Sequence, residues 1–145
     1  MIQSENKIIK YIGYVEKADE NEARINLFKD FCDGLKELES FSHLIILYWF
    51  HLRDNEKERS VLQVIPRRHT DNILVGVFAS RSPSRPNPIG LCIVKLIKIT
   101  GCCIVVKGLD AFEGSPVIDI KPYIPKADLI PDAHVPDWIL SGPKT

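Results

Sequence analysis

The segment from Ser42 to Leu52, SHLIILYWFHL, constrains the fold more than any other part of the chain. It is too apolar for a surface strand and too rich in isoleucine and aromatic residues for a confident helix, so it reads as a buried central strand. Such a strand needs partners on both sides, and the rest of the sequence supplies them. Ile8 to Glu16 alternates loosely and is rich in Ile, Tyr and Val; after the polar stretch Lys17–Glu22, Ala23–Leu27 reads as a second strand closing a hairpin. Further strands are predicted at Val61–Ile65, Ile73–Ala79, Ile89–Ile99, Cys102–Leu109 and Val117–Ile120, with Thr100-Gly101 as a tight turn between the long pair. Leu27, Phe28, Phe31, Cys32, Leu35 and Leu38 repeat at helical spacing and predict one short amphipathic helix, weakened by Gly34. Prolines at 122, 125, 131, 136 and 143 make a sheet strand improbable after Lys121. That Pro-rich C-terminal tail should lie over the sheet or reach toward a partner subunit. The expected fold is mainly β, a closed barrel or a sandwich, closure having the advantage of leaving no strand edges.

A chain of 145 residues fits a single domain, 1–145, with a real core. Nineteen basic and nineteen acidic residues cancel. Nucleic-acid binders usually carry a basic excess, so any RNA contact here must come from a local patch or from surfaces combined in an oligomer. No apolar run is long enough to cross a bilayer, and MIQSENKIIK lacks the apolar centre of a signal peptide; a cytoplasmic protein with no membrane association is expected. Cys32, Cys92, Cys102 and Cys103 form no CxxC pair, which predicts buried thiols in a reducing compartment.

Two segments stand out chemically. In GVFASRSPSRPNPIG, Gly76 to Gly90, three prolines fix φ and push Ser82, Arg85 and Asn87 toward extended geometry. A loop so stiffened loses little entropy on ordering a ligand. Arg81 and Arg85 offer planar forks suited to carboxylate or phosphate, and Asn87 a donor and an acceptor beside them. The alternative is a stiff connection with solvated arginines. In GLDAFEGSPVIDIKPYIP, Gly108 to Pro125, Asp110, Glu113 and Asp119 bring three carboxylates together. Asp119 lies between two isoleucines and faces away from them; if they point outward, it points into the barrel and needs a partner, for which Arg81, Arg85 or Lys121 would serve, the alternative being a structural salt bridge. No histidine stands at ligand spacing from these acids, so no metal is expected. His51 closes the apolar strand, where packing or a hydrogen bond is the commoner role. Arg67-Arg68 reads as a solvated turn or, in an RNA-binding protein, as a phosphate contact. GxGxxG, Walker, HExxH and GxSxG motifs are absent, which removes Rossmann, P-loop, zincin and serine-hydrolase chemistry.

The blocks RPNPIG and DIKPY, with FSHLIILYWFHL upstream, IGYV near the start and PDW at Pro136–Trp138, resemble the TsaA-like (TrmO) family of tRNA methyltransferases from about Ile12 to Pro125. The resemblance implies a small single-sheeted β-barrel working as a homodimer. It implies S-adenosylmethionine as methyl donor and N6 of threonylcarbamoyl-adenosine beside the anticodon of tRNA as acceptor. Carried over residue by residue, it places cofactor contacts on His51, Leu52, Arg81, Leu91, Gly108, Leu109, Asp110 and Ala111; from their own chemistry Arg85 and Asn87 are further candidates for the polar lining. Asp119 or Tyr123 is the expected acceptor of the N6 proton, though nothing in the sequence sets them above His51. Family members often carry a PRQPG-like patch between the first strand and the helix. Here Val15–Leu27 is compact and lacks it, so the pocket must be completed differently, the other subunit being one source. The chain matches the family's short form. A non-catalytic barrel that binds S-adenosylmethionine or a nucleotide, or a methyltransferase for another substrate, stays open beside this reading.

Overall fold

The computed structural model describes residues 5–17, 19, 21–66 and 72–140. Among the described residues eight strands follow one another: β1 Gly13–Lys17, β2 Glu22–Leu27, β3 His43–Trp49, β4 Gln63–Val64, β5 Val75–Gly76, β6 Ile89–Thr100, β7 Cys103–Lys107 and β8 Pro116–Pro122. Six of them close into an antiparallel barrel in the order β1-β2-β7-β6-β3-β8, while β4 and β5 pair as a separate two-stranded sheet. The chain divides into two compact units, the first comprising residues 1–49 and 91–123 and the second residues 50–90 and 124–145.

The first unit is the barrel. Its core follows from strand alternation: Ala23, Ile25 and Leu27 of β2 point inward while Glu22, Arg24 and Asn26 do not. Val15, Ile25, Leu44, Ile46, Ile104, Val106 and Val117 are fully buried, each worth about 1.5–3 kcal/mol relative to exposure. Outside, Glu16 stands opposite Arg24 and pairs with it at 3.5 Å. β1 and β2 pack so closely that a Cβ on Gly13 would lie 2.4 Å from the Asn26 carbonyl oxygen, which only glycine tolerates. The predicted strand over Ile8–Glu16 is shorter than expected. Its first residues lie outside β1, and Ile8 is 96% exposed.

Two expectations need correction. The predicted helix over Leu27–Leu38 is a pair of 3-10 turns, Lys29–Leu35 and Leu38–Ser40. Glu37 between them adopts a left-handed backbone, which no α-helix can continue through. The cysteines are not all thiols: Cys32 and Cys102 form a disulfide, with Cα atoms 5.3 Å apart, and Cys92 and Cys103 remain as thiols. The first correction contributes to the second, because the turn conformation presents Cys32 to the β6–β7 connection.

In the second unit, a turn at His51–Arg53 leads into a single helical turn, Glu56–Arg59, whose first orphan N–H groups are partly satisfied by Asn55, which accepts from the Glu58 N–H at 2.9 Å. The strands predicted at Val61–Ile65 and Ile73–Ala79 shrink to β4 and β5, the latter running into a 3-10 turn at Val77–Ala79. Among its described residues the tail carries no strand, in keeping with its prolines, but two short helical turns at Pro125–Asp128 and Asp137–Leu140. No described helix is long and apolar enough to cross a membrane.

Candidate cofactor-binding elements

The barrel has two distinguishable ends. At one lie the last residues of β1, β3 and β7 and the first of β2 and β8, with Leu91 of β6 close by. There the chain leaves β7 through Gly108, whose φ of +89° excludes other residues at low strain. The next carbonyls are each captured by a side chain from a different strand. The Cys92 thiol approaches the Gly108 oxygen at 3.1 Å, the Lys17 ammonium donates to Leu109 at 2.9 Å, and the Tyr48 hydroxyl donates to Asp110 at 2.5 Å. The Gly108 N–H donates to the Asn21 carbonyl at 3.2 Å. Leu109 and Ala111 are buried as anchors, and the Asp110 side chain is exposed. The result is a rigid backbone ledge. Leu91 presents its side chain outward beside the inward-facing Cys92 that touches the ledge. The structure therefore brings Leu91 and Gly108–Ala111 to one end of the barrel.

Asp119 and Tyr123 lie elsewhere. Asp119 accepts from the Ile120 N–H at 2.9 Å and pairs with Lys121 at 3.0 Å, so the cation it needs is Lys121 and not Arg81 or Arg85. It lines a cavity of about 240 Å³ walled chiefly by Ile12, Leu27, Phe31, Leu35 and Leu38, at the opposite end of the barrel. Tyr123 is also at that end; its N–H donates to the His43 carbonyl at 3.0 Å and its ring meets that of His43 edge-on. Neither joins the ledge.

The second unit holds the Arg-Pro loop. Ser80, Ser82 and Ser84 brace it in series, the Ser82 N–H donating to the Ser80 hydroxyl and the Ser84 N–H to the Ser82 hydroxyl. Arg85 folds back on its own loop, donating to the Ser80 and Ser82 carbonyls at 3.0 and 3.1 Å. From the His51–Arg59 side, Arg59 donates to the Pro86 carbonyl at 2.8 Å and to Asn87 at 3.4 Å. Arg53 reaches the Ser84 hydroxyl at 2.9 Å and Glu58 at 3.3 Å. Ser84, itself buried, donates to Glu58. That hydroxyl, seconded by Arg53, holds the Glu58 carboxyl below its ordinary value of 4.5. Within this unit the loop is strapped down by three arginines.

Arg81 is different. It is exposed and makes no hydrogen bond or ion pair among the described residues. His51 is half-buried and Leu52 is 63% exposed. Arg67 and Arg68 lie outside the described residues. Sequence reasoning missed the struts Lys17, Tyr48 and Cys92 of the ledge and Arg53, Glu58 and Arg59 of the loop. Only Tyr48 sits in one of the quoted blocks, and each acts on a segment at least 16 residues away. Among the described residues no group of side chains is arranged to hold a metal ion.

Known proteins place this assembly. The tRNA-methyltransferase O N-terminal domain matches residues 14–129. A probable S-adenosyl-L-methionine-binding protein of Methanothermobacter thermautotrophicus is 49% identical over 107 residues, covering 74% of this chain and 73% of its own. A second protein so described, from Methanocaldococcus jannaschii, is 45% identical over 120 residues, 83% of this chain and 94% of its own. The tRNA (adenine(37)-N6)-methyltransferase of Escherichia coli is 42% identical over 105 residues, 70% of this chain but only 44% of the enzyme. A crystal structure of TrmO from Pseudomonas aeruginosa superposes with a TM-score of 0.72 at 27% identity, covering 92% of this chain and 62% of that one. The chain thus spans under two thirds of the solved enzyme. With a matching barrel, a match over most of its length and relatives approaching half identity, the chain belongs to the tRNA-methyltransferase O N-terminal domain family.

Proposed function

We propose that this chain binds S-adenosylmethionine and transfers its methyl group to N6 of threonylcarbamoyl-adenosine beside the anticodon of tRNA. The observation that carries the reading is Arg81. In a loop whose other arginines are spent on holding it in shape, one guanidinium is left exposed and unengaged, a fixed fork suited to a carboxylate. The donor set fits the cofactor's parts. In the second unit Arg81 suits the amino-acid carboxylate and His51 and Leu52 offer surface for a purine; in the first, Leu91 offers apolar surface and the exposed Asp110 carboxylate suits a cationic group. Family membership and the S-adenosylmethionine-binding relatives support the same assignment. The E. coli relative supports adenine N6 of tRNA as the acceptor.

The sulfonium supplies an activated methyl group, so the protein's part is to bind, align and exclude water; alignment of this kind contributes about 7–11 kcal/mol. The ledge is suited to that work because its carbonyls are already engaged and need no rearrangement on binding. The chain works as a homodimer in the cytoplasm, and Arg67 and Arg68 contact tRNA phosphates. For Asp119 or Tyr123 to accept the N6 proton, it has to be supplied by the partner subunit, because both lie at the barrel end away from the ledge.

The same separation favours a second reading, a barrel that binds S-adenosylmethionine without methylating RNA. Incubation with methyl-labelled S-adenosylmethionine and tRNA, with and without the threonylcarbamoyl group, distinguishes them. Label confined to the modified tRNA and lost in Arg81→Ala supports the methyltransferase. Calorimetric binding of the cofactor with no label in either RNA supports the second reading.

A further inference from the structure

At the barrel end away from the ledge, the Lys29–Leu35 turn is bonded to the β6–β7 turn through Cys32 and Cys102, residues 70 apart in sequence. By itself this segment is weakly held. It is 3-10 in form, Phe28 provides no side-chain cap, and the Lys36 N–H that closes it reaches the Asp33 carbonyl only at 3.4 Å. Leu35 and Leu38 are its buried anchors, and both wall the cavity that contains Asp119. The disulfide is therefore the one covalent clip on the wall of that cavity. Both of its cysteines are half-buried and lie in connections rather than inside strands, so an attacking thiolate has access. None of the ledge contacts, from Lys17, Asn21, Tyr48 and Cys92, passes through either cysteine.

We infer that Cys32–Cys102 is a thiol–disulfide exchange site, opened by a dithiol reductant, and that its opening frees the 29–40 segment from the cavity while leaving the Gly108–Ala111 ledge unchanged. One thiolate of the reductant attacks either sulfur of the bond and forms a mixed disulfide. The other protein sulfur leaves as a thiolate and takes up a proton. The reductant's second thiol then displaces the bound protein sulfur, which is protonated in turn. The net exchange is one protein disulfide and one dithiol for two protein thiols and one reductant disulfide. A reducing compartment draws this equilibrium toward the open form. The inference rests on the geometry of the barrel alone and stands whether or not the chain methylates RNA.

The full chain, equilibrated in glutathione buffers from reducing to oxidising, is quenched with acid, alkylated and mapped by mass spectrometry. Alkylation of Cys32 and Cys102 should fall together with one midpoint while that of Cys92 does not follow it. Amide exchange over 29–40 should be about tenfold or more faster in the reduced protein. Cys32→Ser in oxidising buffer should exchange over 29–40 at the reduced rate. The inference is overturned if Cys32 and Cys102 stay alkylatable in every buffer or protected in every buffer. It is equally overturned if exchange over 29–40 is the same in both redox forms, or if Cys32→Ser retains the oxidised rate.

Discussion

At the scale of single residues, the second unit separates arginines that build from one that is free to bind. Arg53, Arg59 and Arg85 each complete a hydrogen bond to the Ser80–Asn87 loop, whereas Arg81 completes none among the described residues. Arg81→Ala should therefore leave the melting temperature unchanged and weaken S-adenosylmethionine binding about 10- to 100-fold, the range for losing a charged hydrogen bond; calorimetry reads it. Arg59→Ala should do the reverse of the first part and lower thermal stability, because it leaves the Pro86 carbonyl without its donor. In the barrel, Tyr48→Phe removes the hydroxyl that holds the Asp110 carbonyl. A loss of about 1 kcal/mol is expected by denaturant unfolding, with weaker cofactor binding if the ledge is the seat of it.

At the scale of elements, β1 and β2 are joined through a contact only glycine allows. Gly13→Ala should cost about 1–3 kcal/mol, since the added methyl meets backbone that cannot yield. Urea unfolding measures it. The helical turn Glu56–Arg59 is tied to the Arg-Pro loop through Glu58, whose carboxyl is held below 4.5 by the Ser84 hydroxyl first and Arg53 second. A depressed carboxylate stabilises the fold fully above its unfolded value and loses that contribution as pH falls through its folded value. Acidification below 4.5 should therefore loosen the 80–88 loop, and Glu58→Gln should remove that part of the pH dependence, as read by amide exchange across the loop. The seven-residue Lys29–Leu35 segment, a 3-10 turn, depends on its leucine anchors and on the bond to Cys102.

At the scale of the whole molecule, the disulfide closes a loop of 70 residues, for which the chain-entropy relation gives about 4 kcal/mol of stabilisation. Reduction should lower the melting temperature by about 10 °C, read by calorimetry with and without a dithiol. The strand order shows where sequence reading succeeds. β3, β6 and β7 were legible because alternation, β-branching and the Thr100-Gly101 turn are local properties that burial then reinforced. The helix over Leu27–Leu38 was misread because the same apolar spacing suits two 3-10 turns broken at Glu37, and periodicity does not register a single left-handed residue. By itself the sequence determined a β-rich chain with a rigid Arg-Pro loop and a tail that prolines keep out of the sheet. Only the tertiary structure decided which arginine stands free, that Lys121 pairs with Asp119, that Asp119 and Tyr123 sit away from the ledge, and that Cys32 meets Cys102. The reason is separation along the chain. Contacts such as Lys17 to Leu109 join residues 92 positions apart, and nothing in either neighbourhood encodes the other until the barrel closes.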